Sequence, residues 1–125
     1  MLVEELRAAF EAAARTPLGK KALHGHDEDF DLEVAGGGTF HLAFAGGGLE
    51  IAEGPSPRRE ALHCSIVQID EPTLRDVLAG RTSPVEAMDA GKLFLRTRLY
   101  GGALLTILLR AAYDLARDNT LRGSL

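Results

Sequence analysis

Hydrophobic positions switch between a helical period and a period of two several times along this chain. Over residues 2–15 they recur at helical spacing, with Leu2, Leu6, Phe10 and Ala13 in line and Val3 and Ala9 beside them. Glu4, Glu5, Arg7, Glu11 and Arg15 fall largely on the other side, so the segment is an amphipathic helix. Thr16-Pro17 stops it, because the residue before a proline avoids the α region. Residues 16–29 read as a polar connector that ends in His24-Gly25-His26-Asp27-Glu28-Asp29.

From Phe30 the period is two. Phe30, Leu32 and Val34 alternate with Asp31, Glu33 and Ala35, and Phe40, Leu42 and Phe44 alternate with His41, Ala43 and Ala45. Leu49 and Ile51 flank Glu50. These are three strands, each with one apolar face. Gly36-Gly37-Gly38 and Gly46-Gly47-Gly48 separate them as hairpin turns, giving a meander with one face to water and one to a core. After the loop Gly54-Pro55-Ser56-Pro57, a fourth strand is expected at about 61–69, with Leu62, Cys64 and Ile66 on one face.

Helical signals then return. Asp70 reads as the N-cap of a helix over about 71–79 that carries Leu74, Val77 and Leu78 and ends at Gly80. Ser83-Pro84-Val85-Glu86 is a capping box with proline at the first helical position, and its short helix ends before Gly91. Lys92 to Arg98 alternates once more, with Leu93, Leu95 and Thr97 set against Phe94, Arg96 and Arg98. Tyr100 to Arg117 is helical, and its first half leaves almost no polar side: only Thr106 and Arg110 interrupt Ala103 to Ala112. A helix apolar all round must be covered on every side, by its own core, a second subunit or a ligand. The polar tail 118–125 is expected to fray.

The order of elements between Cys64 and Arg110 resembles the sterol carrier protein 2 family. The residues that carry the resemblance are Asp70-Glu71-Pro72-Thr73-Leu74, Leu78-Ala79-Gly80, Ser83-Pro84-Val85-Glu86-Ala87-Met88 and Gly91-Lys92-Leu93-Phe94-Leu95. With the glycine-rich meander the likeness covers roughly residues 30–112. Two features depart from the family pattern: Thr97-Arg98 stands where a Gly and a polar residue often end the strand, and the chain has no Trp. The resemblance implies an α+β fold, with a five-stranded, mainly antiparallel sheet and helices on one face enclosing an apolar cavity. It also implies a tunnel for a sterol, fatty acid or fatty acyl-CoA, and no cofactor or catalytic group.

Composition narrows the picture further. The 125 residues are the size of one domain, divided as helix 1–15, connector 16–29, core 30–117 and tail 118–125. A net charge of −4 and a pI near 5.5 lack the basic footprint of a nucleic-acid binder. No polybasic segment holds the chain on an anionic membrane, so membrane contact is at most transient. The single cysteine, Cys64, fits a reducing compartment, and a cytoplasmic location is expected. The N-terminus lacks the apolar region of a signal peptide, and Ser124 stands where a peroxisomal address has a basic residue.

The candidate lipid-lining residues are Phe40, Leu42, Phe44, Leu93 and Leu95 from the strands, and Leu104, Leu105, Leu108 and Leu109 from the apolar helix. Both stripes of the helix are included, because spacing does not say which faces inward. The simpler alternative is a solid core. Another sends a stripe, with outward-facing Phe94, into a homodimer or a protein partner. Arg96, Arg98 and Arg110 offer a headgroup contact, against the plainer reading of a solvated strand face and a helix terminus. His24, His26, Asp27 and Asp29 are metal-ligating types, but nothing fixes them in a tetrahedron, and no metal is expected. Adjacent strand residues point to opposite faces, so His63 does not activate Cys64; with His41 on the polar register, an inert buried cysteine is expected and no enzyme.

Overall fold

The computed structural model describes residues 2–23, 28–45, 48–55, 64–96 and 101–123, with side chains at 2–21, 30–43, 49–55, 66–96 and 106–119. Five strands form one sheet: β1 (Glu28–Ala35), β2 (Gly38–Ala45), β3 (Gly48–Glu53), β4 (Cys64–Asp70) and β5 (Leu93–Arg96). The spatial order is β3-β2-β1-β4-β5. All neighbouring pairs are antiparallel except β1 with β4, which are parallel. The expected α+β, mainly antiparallel sheet is therefore present. The helices are α1 (Leu2–Ala14), α2 (Pro17–Leu23), α3 (Glu71–Leu78), α4 (Pro84–Asp89) and α5 (Gly101–Gly123).

Strand pairing builds one continuous apolar face. Phe30 sits opposite Leu42 and Leu32 opposite Phe40, while Leu42 sits opposite Ile51 on the other side of β2. Across the parallel joint Leu32 is level with Val67, which faces Leu95, and Ile69 faces Leu93. Nearly all these side chains are buried. The core continues through Leu6, Phe10, Leu74, Val77, Leu108 and Leu109 of the helices. The β1–β2 turn places Gly36 at φ +87° and Gly38 at φ +99°, a region that L side chains rarely adopt. Gly46 and Gly47, expected as a second turn, lie outside the described residues.

Helix α5 explains its own composition. It packs on β1 and β4 on one side and against α1, α2, α3 and α4 on the others. Leu108, Leu109, Ala111, Ala112 and Tyr113 are all buried, so much of the apolar surround is covered by the chain's own core. Latches hold the outer helices to this layer. The Arg7 guanidinium donates from Nη2 to the Ile51 carbonyl at 3.0 Å, tying α1 to edge strand β3. Arg75 of α3 binds Glu5 of α1 and Glu71.

Four expectations need correcting. The connector 16–29 contains α2: the Thr16 hydroxyl accepts from Gly19 N–H at 3.0 Å, and Pro17 opens the helix. The proline that ends one helix here starts another. In β4 the buried positions are Val67 and Ile69, while Ile66 lies on the opposite face, so the strand's register is one residue from the expected one. Asp31, on the strand face expected to be wet, is fully buried. Helix α5 runs to Gly123, past the end expected at Arg117, and no proline or glycine interrupts residues 118–122.

Candidate functional site

The layer between the sheet and α5 is where the candidate lipid-lining residues gather. Phe40 and Leu42 of β2, Leu93 of β5, and Leu108 and Leu109 of α5 are buried in the common core, with Leu95 half-buried against it. Phe44, Leu104 and Leu105 belong to β2 and α5, but their side chains lie outside those described. The structure thus brings together the described members of the set. Which helical stripe faces inward is also visible at one end: Leu108 and Leu109 point to the core, whereas Arg110 is exposed.

Two helix starts frame this layer as the sequence indicates. The Asp70 carboxylate accepts from Thr73 N–H at 2.8 Å, capping α3 as the chain leaves β4. The hydrogen bonds from the Thr73 hydroxyl and N–H hold that carboxyl below its ordinary value. Ser83 and Glu86 form the reciprocal capping box of α4, with Pro84 in the first turn. Gly80, at φ +78°, lets the turn after α3 approach α5: a Cβ there would lie 2.8 Å from the Arg117 nitrogen.

Grooves occur on both sides of the molecule. One, of roughly 490 Å³, lies at the helix-free face of the sheet, with Thr39, Phe94 and the Glu33–Gln68 pair among its walls. Gln68 Nε2 donates to Glu33 Oε1 at 2.7 Å. Another, of roughly 360 Å³, opens between α2, α4 and α5. Its walls are Leu18, Pro84, Val85 and Ile107, with Thr106, Arg110 and Asp114 along α5. Leu18 falls in the segment read as a connector, so this groove was not visible in the sequence; Thr16-Pro17 as a helix start was the signal that pointed to it.

The remaining chemical candidates separate. Asp31 and His41 are direct cross-strand partners on the helix-free face. The ladder gives Cys64 the same register as Ile66 and Asp31, so Cys64 is not on the opposite register from His41 as expected; β1 stands between their strands. His63, His24, His26, Asp27 and Arg98 lie outside the described residues, as do the side chains of Cys64 and Asp29. Arg96 is exposed on β5. Among the described residues no cluster of His, Cys, Asp or Glu could hold a metal ion, and no helix is long and apolar enough to cross a membrane.

No protein-family model matches the sequence, and no curated protein does. Solved structures do. The chain is similar to the sterol carrier protein domain 2 of Helicoverpa armigera, with 17% identity and a TM-score of 0.64, over 89% of this chain and 87% of that one. A sterol carrier protein 2 crystal structure aligns over 92% of this chain and 95% of its own, at 19% identity and a TM-score of 0.59. A stereoselective inverting sec-alkylsulfatase, Pisa1 from Pseudomonas sp., matches 78% of this chain but only 14% of its own, at 20% identity and a TM-score of 0.58. The fold is that of a sterol carrier protein 2 domain.

Proposed function

We propose that the protein binds and carries a single lipid molecule between the sheet and α5, making and breaking no bond. The observation that supports this most is the shared apolar layer of β2, β5 and α5 in a sterol-carrier fold. The ligand class is a long-chain fatty acid, its acyl-CoA or a sterol. Phe40, Leu42, Phe44, Leu93, Leu95, Leu104, Leu105, Leu108 and Leu109 supply the walls.

Burial supplies the affinity. Transfer of an acyl chain gains about 0.8 kcal/mol per methylene, so 12–16 carbons offer roughly 10 kcal/mol before association costs. Phe40, Leu42, Leu93, Leu108 and Leu109 are already shielded from water. A ligand among them replaces contacts between side chains, and its net gain is set by how readily α5 yields from the sheet.

Native mass spectrometry of the purified protein, followed by organic extraction, tests this reading. A reproducible bound lipid is expected, and it names the ligand class. Protein that purifies empty and takes up neither palmitate, palmitoyl-CoA nor cholesterol refutes it. A second reading, a homodimer or partner-binding scaffold of the same fold, draws support from Phe94, which is 54% exposed on the helix-free face. The mass in the same spectrum separates the two.

A further inference from the structure

The groove between α2, α4 and α5 has features that the interior layer lacks. Two of its apolar walls stand open to water, Leu18 at 42% and Val85 at 55% exposed, while Ile107 is half-buried and Pro84 buried in its floor. Its size falls within the range of small-molecule pockets. Along α5 the wall runs from Thr106 and Ile107 to Arg110 and Asp114, about 12 Å at 1.5 Å per residue. One end is therefore apolar and the other charged.

The charged end has unused capacity for an anion. Arg110 donates through Nε alone, to both Asp114 oxygens at 3.0 and 3.2 Å. Among the described residues nothing takes its two η nitrogens, which form the fork that fits a carboxylate. Asp114 fixes the guanidinium while occupying only one edge of it. Lys21, three residues after Leu18 and so on the same side of α2, is a further exposed cation on that helix. A cation held at the end of an apolar trough is complementary to one class of molecule, an amphiphile with a single chain and an anionic head.

We propose that this groove is a surface site for a single-chain carboxylate amphiphile, with its chain along Leu18, Pro84, Val85 and Ile107 and its carboxylate on the η edge of Arg110. The site is separate from the interior layer and stands or falls without it. Chain length is set by the trough, and head-group charge by Arg110. The same chain on a cationic head meets the guanidinium as a like charge.

Titration of ¹⁵N-labelled protein with dodecanoate, below its micelle concentration, tests the site by amide shifts. Shifts at Leu18, Val85 and Ile107 and at the Arg110 Nε–H are expected. Arg110→Gln should weaken binding by roughly tenfold to a hundredfold, the value of a hydrogen bond to a charged group. Val85→Asp should remove binding and leave the spectrum of the folded protein intact, since Val85 is mostly exposed. Dodecyltrimethylammonium binding as tightly as dodecanoate overturns the proposal. So do shifts confined to the core around Phe40, Leu42 and Leu108, an outcome that leaves the carrier reading standing. No shift at any residue overturns it as well.

Discussion

The two faces of the sheet are made by the same strands with the same alternation, yet they differ in kind. The covered face is uniform: Phe30, Leu32, Leu42, Val67 and Leu93 are all apolar and buried under α5 and its neighbours. The open face is mixed. It holds the buried Asp31, the Glu33–Gln68 hydrogen bond and the exposed Phe94. Alternation alone says which residues share a face, but not what lies over it. The helical layer makes one face a uniformly apolar core.

The strongest way to break this contrast is to cut into the covered face. Phe30 is fully buried at the centre of the sheet. Phe30→Ala should cost about 3–5 kcal/mol of unfolding free energy, measured by urea denaturation. A loss below about 1 kcal/mol would mean that the layer beneath is loosely filled, and the contrast between close-packed and open faces would collapse.

A sharper probe uses neighbours on β4, whose side chains point to the two faces. Val67→Thr keeps the shape but buries a hydroxyl among apolar groups, and it should cost about 1–3 kcal/mol. Ile66→Thr, on the open face, should cost clearly less. Equal losses, or the reverse order, would place the strand in the register first expected from the sequence.

That register illustrates what the sequence reveals and what it does not. In β1 and β2 one parity is apolar and the other largely polar or small, so the core face is legible at Phe30, Leu32, Phe40 and Leu42. In β4 both parities are apolar near the end, with Ile66 on one and Val67 and Ile69 on the other. Pattern cannot choose there; the pairing of β4 with β1 and β5 does. Caps were legible because Asp70 and Ser83-Pro84-Val85-Glu86 act locally. Helix α2 was not, because Thr16-Pro17 serves as both a stop and a start, and the difference lies in how closely α1 and α2 approach. A Cβ on Gly19 would meet the Ala13 carbonyl at 2.0 Å. For the candidate site, the apolar residues were legible, but the α2–α4–α5 groove required Leu18 to be placed by a helix.

A smaller effect is expected where the chain crosses from the sheet into the covering layer. Asp70→Ala removes the N-cap of α3 and should cost about 1 kcal/mol at neutral pH. Asp70→Asn keeps a good cap and removes the charge. Because the folded-state carboxyl lies below its ordinary value of 3.8, its contribution is present above that value and is lost as pH falls through the folded value. Below about pH 4 the wild type should therefore lose stability more steeply than Asp70→Asn. Parallel acid limbs in urea melts would show that the bond from Thr73 adds nothing to the ionised form.

The smallest effect belongs to the open face itself. Phe94 lies on edge strand β5, more than half exposed, beside the Glu33–Gln68 pair. Truncating a side chain that water already reaches removes little burial, so Phe94→Ala should change stability by no more than about 0.5 kcal/mol. The informative variable is concentration. If a second copy covers this face, the wild type gains stability with protein concentration and the variant does not, because only the associated state is favoured by mass action. Identical melts at two concentrations about a hundredfold apart would keep the face open. A concentration-dependent loss in Phe94→Ala would instead make the second face a buried one too, and the difference between the two faces would then lie in which chain supplies the cover.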